Sequence, residues 1–330
     1  MKYARIFAAV LLACSLAIPA VAQAQEKKQV RVHTAGPTGM GTDQSAMAVK
    51  FMEYVNSNSK TIEVKVFANS QLGQSREVIE AMRLGSGASA TSGGPGEYAS
   101  FVKRLGVLSL PFVWKDYDHI NKVLNGEVGT ELSGDMEKAG FKVLAWSVGW
   151  GFRNVVTAKK EVTKVEYLKG LKIRTIPNKV FVAAINTLGA NATPMNIGEV
   201  YTSMQAGVLD GYEHTNATTL SSKLYEVACC IALTRHIMDP AMFAFSLPEW
   251  KKFDASEQEL MTKAAKFAAD YISQAAPQKE EENAAELKKI GLKINPVDLA
   301  PLQEAVAKAQ DDLAKETGTE SLLAKIRAQQ

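Results

Sequence analysis

Arg174 is the first residue whose setting implies chemistry. It lies among the apolar strand residues of Leu171-Lys172-Ile173-Arg174-Thr175, just before a Pro177-Asn178 turn. A guanidinium in such a place must pair, because a buried and unpartnered charge is strongly destabilising. Two partners are open: an internal Asp or Glu, or the carboxylate of a ligand held by both arms of the planar fork. A second arginine, Arg153, follows Trp150-Gly151-Phe152 where a loop enters a strand; alone it reads as an exposed charge at a strand end.

Other chemical signatures fail on context. Gly36-Pro37-Thr38-Gly39-Met40-Gly41 lacks the lysine that a phosphate-binding loop needs. Gly85-Ser86-Gly87-Ala88-Ser89-Ala90 has dinucleotide-loop spacing, but it follows a helix and precedes a strand, the reverse of the order that aims a helix N-terminus at pyrophosphate. No G-x-S-x-G nucleophile elbow is present. The four histidines, His33, His119, His214 and His236, have no paired zinc-ligand spacing, so neither metal nor cofactor is expected.

The elements that must position the arginines follow from periodicity. Strands are expected at 29–34, 61–67, 88–92, 142–147, 154–158, 171–175 and 242–246, and helices at 43–56, 75–84, 119–124, from 179 through 188, and 199–206. The segment 107–113, with Pro111, reads as a strand edge or connector. Ser92-Gly93-Gly94-Pro95-Gly96 forms a loop whose glycines permit close backbone approach. Beyond Ser256 the Ala-, Lys- and Glu-rich tail reads as long helices interrupted near Pro277 and Gly291. Strands alternating with helices imply an α/β protein with mainly parallel sheets covered on both faces.

The chain has 330 residues, 46% of them hydrophobic, and a net charge of +3 from 38 Lys+Arg against 35 Asp+Glu. That length fits about two compact units, the apolar content excludes wholesale disorder, and the balanced charge argues against a nucleic-acid partner. Lys2 and Arg5 precede an apolar run, 6–22, that ends in Ala22-Gln23-Ala24, the layout of a cleaved secretory signal peptide. Loss of those two cations would bring the mature charge to +1. Of the three cysteines only Cys229 and Cys230 would remain. As chain neighbours in an apolar stretch they read as small hydrophobes, and a bridge between them is not expected.

One set of fragments carries more than its parts: Leu168-Lys169-Gly170-Leu171-Lys172-Ile173-Arg174, Thr193-Pro194-Met195, Glu199-Val200-Tyr201, Gln205-Ala206-Gly207-Val208-Leu209-Asp210-Gly211 and Thr234-Arg235-His236-Ile237, with Gln71-Leu72-Gly73 and Leu110-Pro111-Phe112 upstream. In this order and spacing they resemble the extracytoplasmic solute-binding subunits of TRAP transporters, the DctP-like family, from about residue 30 to the C-terminus. The resemblance implies an α/β, two-lobed periplasmic-binding-protein (Venus-flytrap) fold with long C-terminal helices spanning the lobes. The expected layout is a signal peptide at 1–24, one lobe from 25–150 with 240–279, and the other from 151–239 with 280–330.

The resemblance further implies a periplasmic binding protein, not an enzyme. It would capture an organic acid (a dicarboxylate, a sugar acid or a related monocarboxylate) in the interlobe cleft and deliver it to TRAP membrane subunits; a monomer is expected. Arg174 takes the family's carboxylate-pairing position and Arg153 its second basic position. The end of the first strand maps to Thr34, the glycine loop to Gly93 and Gly94, and the turn after the arginine to Asn178. Glu213 lies in the family's DG-x-E pattern, where His214 departs from the asparagine of sialic-acid-type members and could add a donor or a positive charge. Trp150 would line the pocket or sit in the core. A scavenger or sensor subunit is the nearest alternative. The alternative of another class is a secreted enzyme acting on a carboxylate, with Glu213 and His214 as an acid–base pair.

Overall fold

The computed structural model describes residues 26–38 and 44–330; the signal-peptide assignment at 1–24 lies outside them. The strands are β1 (Lys28–His33), β2 (Ile62–Phe67), β3 (Ala90–Gly93), β4 (Phe141–Ser147), β5 (Phe152–Thr157), β6 (Lys172–Thr175), β7 (Asn191–Pro194), β8 (Gly211–Thr215), β9 (Cys230–Met238), β10 (Ala241–Ser246) and β11 (Lys293–Pro296). The helices are α1 (Gln44–Asn58), α2 (Ser75–Arg83), α3 (Tyr117–Leu124), α4 (Glu127–Lys138), α5 (Lys179–Thr187), α6 (Val200–Gln205), α7 (Asn216–Ser221), α8 (Leu247–Trp250), α9 (Ala255–Ile290), α10 (Ala300–Thr317) and α11 (Glu320–Arg327).

Two sheets organise two lobes. The first has the order β2-β1-β3-β10-β4 and the second β11-β9-β5-β8-β6-β7. Both are mixed rather than mainly parallel. β10 runs antiparallel to β3 and β4, and β5 antiparallel to β8 and β9. The physical reason is connectivity: β10 enters the first sheet directly from β9 in the second, so no helical crossover resets its direction.

The chain passes between the sheets through two short links and one helix. Residues 148–151 join β4 to β5, and Asp239-Pro240 joins β9 to β10. Helix α9 starts from an Asp254 cap, whose carboxylate accepts from Ser256 N and Glu257 N, and runs 36 residues without a break past Pro277. The interruption expected near Pro277 is therefore absent. The proline removes only its own N–H, and burial of Ile272, Ala276 and Leu287 on either side of it holds the helix together. The N-terminal half of α9 packs Met261, Ala264, Ala268 and Ile272 into the core with Val30, Phe51 and Phe243. Near its other end Leu287 joins Val156, Tyr212 and Ile231 of the second lobe.

The C-terminal residues are not one block. Leu302 and Val306 of α10 pack with Val155 and Ile173 of the second lobe. Leu313 and Ala314, at the far end of the same helix, join Leu105, Val128 and Met136 of the first, together with Leu322, Leu323 and Ile326 of α11. The buried side chains of 320–327 thus pack with the first lobe, whereas the sequence groups 280–330 with the second.

Periodicity does not reveal α4, β7, β8, β9 or β11. Helix α4 carries Gly129 and Gly134 in a mostly polar stretch, which hides its period. The segment 107–113 forms no strand; residues 103–109 make a 3-10 turn that leads into the connector. Cys229 and Cys230 are joined in a disulfide, contrary to expectation. Their backbone is pinned from both sides: Cys229 N donates to Thr157 O at 2.9 Å and Lys293 N donates to Cys229 O at 3.0 Å.

Candidate functional site

A cavity of about 570 Å³ lies between the lobes, lined from the first by Gly94, Glu97 and Lys103, from the second by Arg153, Arg174 and His214, and from the links by Trp150 and Asp239. Arg174 projects from β6 and is 1% exposed. Its Nε donates to Met195 O at 2.9 Å, and its Nη1 has no partner among the described residues. Burial lowers its pKa to about 10, with the Glu213 carboxylate acting in the opposite sense, so the group stays cationic at neutral pH.

The internal acid best placed to pair with Arg174 is already engaged. Glu213 of β8 binds Arg153 through two contacts, Nε to Oε2 at 2.5 Å and Nη2 to Oε1 at 2.8 Å, and Thr175 Oγ1 donates to Oε1 at 2.9 Å. Burial alone would raise the Glu213 pKa, but Arg153 and His236 hold it well below the usual carboxylate range. Burial likewise works against the charge on Arg153, yet Glu213 raises its pKa overall. Arg153 is thus a buried, paired cation, which corrects its reading as an exposed strand-end charge.

His214 is buried, and its Nδ1 accepts from Thr215 N at 2.9 Å. Burial, reinforced by Arg153, pushes its pKa well below the ordinary value, so it offers a neutral ring and not the positive charge the sequence allows. The ring meets Trp150 edge-on, with centroids 6.1 Å apart. Asn178 accepts from Val180 N at 2.8 Å, capping α5, and donates to Gly96 O at 2.9 Å, tying the second lobe to the glycine loop of the first. Gly94 is required by close approach: a Cβ there would lie 2.6 Å from Trp150 Cζ3.

Arg174, Arg153, His214, Asn178, Gly94 and Trp150 line the cavity; Thr34, Gly93 and Glu213 do not. Thr34 is turned to Ser45 Oγ at 3.0 Å and Gly36 O at 3.1 Å. Two acids that belong to no motif in the sequence do line it, Glu97 and Asp239. Asp239 stands in the apolar run 237–242, the same signal that points to Arg174. Among the described residues no cluster of His, Cys, Asp and Glu could hold a metal ion, and no helix is long and apolar enough to cross a membrane.

Residues 36–317 match the family described as bacterial extracellular solute-binding protein, family 7. The chain belongs to this family, the DctP family of TRAP solute-binding proteins. A solute-binding protein of Verminephrobacter eiseniae is 31% identical over 312 residues, covering 94% of this chain and 91% of the relative. Among solved structures, a TRAP periplasmic solute-binding protein from Xanthobacter autotrophicus with bound β-D-galacturonate is 30% identical, with a TM-score of 0.85 over 92% of this chain and all of that one. One from Polaromonas bound to D-erythronate is 29% identical, with a TM-score of 0.86 over 92% of this chain and 99% of that one. The family and these neighbours are binding proteins, not enzymes. The acid–base alternative also fails on geometry: adjacent residues of a strand face opposite ways, and Glu213 is held ionised by Arg153 outside the cavity lining.

Proposed function

We propose that this protein captures an organic acid in the interlobe cavity, with Arg174 as the carboxylate anchor, and delivers it in the periplasm to TRAP membrane subunits. The observation that carries the reading is the division of labour between the arginines. Arg153 is satisfied by Glu213, while Arg174 keeps Nη1 without a partner at a cavity wall. A ligand carboxylate accepting from that fork would supply the missing charge-assisted bonds. The sugar acids bound by the Xanthobacter and Polaromonas proteins fit that chemistry. His214 and Asn178 would position the remainder of the ligand.

Capture is a clamp. Two short links, α9 and α10 connect the lobes, and a ligand that touches both favours the closed state by its differential affinity for it. Replacing Arg174 by Ala should remove the thermal stabilisation given by D-galacturonate, with affinity lower by at least about 30-fold, the usual range for deleting one partner of a buried charge pair. The ligand-free protein should melt at or above the wild-type temperature, because a buried cation with no ion-pair partner among the described residues has been removed. Stabilisation that survives in R174A contradicts the anchor.

A further inference from the structure

We infer that Asp239 and Glu97 form a second recognition point in the cavity, one that accepts ligand hydroxyls and selects polyhydroxylated monocarboxylates over dicarboxylates. The inference rests on the reading of Arg174 as the carboxylate anchor.

Both acids line the cavity, Asp239 buried and Glu97 half-buried, and each is only half used. Ser109 Oγ donates to Asp239 Oδ1 at 2.9 Å, and no described residue bonds Oδ2. Ser75 Oγ donates to Glu97 Oε1 at 2.9 Å, and no described residue bonds Oε2. Carboxylate oxygens left without a protein donor at a cavity wall can accept from the hydroxyl groups of a bound ligand.

Charge decides between ligand classes. The two cations at the inner wall are Arg153, spent on Glu213, and Arg174, assigned to one carboxylate. Arg76, Lys103 and Lys179 also line the cavity, but all three are exposed to water, where a charge contributes less. A second ligand carboxylate would therefore meet two acids and no free buried cation among the described residues. A hydroxyl-bearing chain meets acceptors instead. Burial raises the pKa of both acids to about 7, so either can also donate to a ligand oxygen when protonated. Asp239 lies on the link between β9 and β10, so a ligand held there also bears on a crossing between the lobes.

The test is isothermal titration calorimetry of wild type, D239N/E97Q and R174A with D-galacturonate, D-erythronate and succinate. Wild type should bind at least one hydroxylated acid tenfold or more tighter than succinate, and D239N/E97Q should narrow that ratio by tenfold or more. A smaller change overturns the inference, as does a wild type that prefers succinate or ignores both hydroxylated acids. The double variant keeps the volume of both side chains, and a single cooperative ligand-free melting transition establishes that it folds. R174A separates the two claims: loss of binding there with an unchanged ratio in D239N/E97Q overturns only the second recognition point, whereas retained binding in R174A overturns the anchor.

Discussion

At the scale of residues, the site is a set of buried charges matched unequally. Glu213 has Arg153, Thr175 and nearby His236, whose Nε2 stands 3.6 Å from Oε2. Asp239 and Glu97 have one hydroxyl donor each. The consequence for Asp239 is a stability that depends on pH. Its folded pKa, about 7, lies above the unfolded value, so the folded state favours the protonated form. That advantage is full below the unfolded pKa and is lost as pH rises through about 7. Asparagine does not titrate, so D239N should gain about 1 kcal/mol on wild type between pH 6 and pH 8. Urea unfolding of both proteins at the two pH values measures it, and a constant difference would place the carboxyl in water.

At the scale of elements, the link 148–151 is fitted to α9. Val148 N donates to Ser273 Oγ at 3.1 Å, and a Cβ on Gly149 would lie 1.6 Å from Ile272 Cγ2. Gly149→Ala should therefore force Ile272 out of its packing and cost about 1–3 kcal/mol. Thermal unfolding checks this, and a neutral effect would mean the link has room to yield. The same elements show what periodicity can and cannot reveal. The expected strand at 171–175 is observed at 172–175, since an apolar run before a Pro-Asn turn has few other solutions. The crossing from β9 to β10 is hidden, because a two-residue link between strands of different sheets looks like any short turn. Pro277 misleads because packing around α9 outweighs a local helix breaker.

At the scale of the whole molecule, the two-lobed α/β fold and the buried setting of Arg174 are legible in the chain itself. Motif order carries the fold, and an arginine in an apolar strand points to the cavity wall. The pairing is not legible. Nothing in the sequence says that Glu213 takes Arg153 and leaves Arg174, because that choice depends on side-chain directions from β5, β6 and β8 in one sheet. Nor does the near-neutral charge of +3 show how strongly charge is concentrated inside the cleft. The central claim, an acid anchored by Arg174, is tested most directly by mass spectrometry of the small molecules released when the purified protein is denatured. The account predicts a carboxylic acid in near-stoichiometric amount from wild type and its absence from R174A. A molecule without a carboxylate, or the same acid retained by R174A, would contradict it.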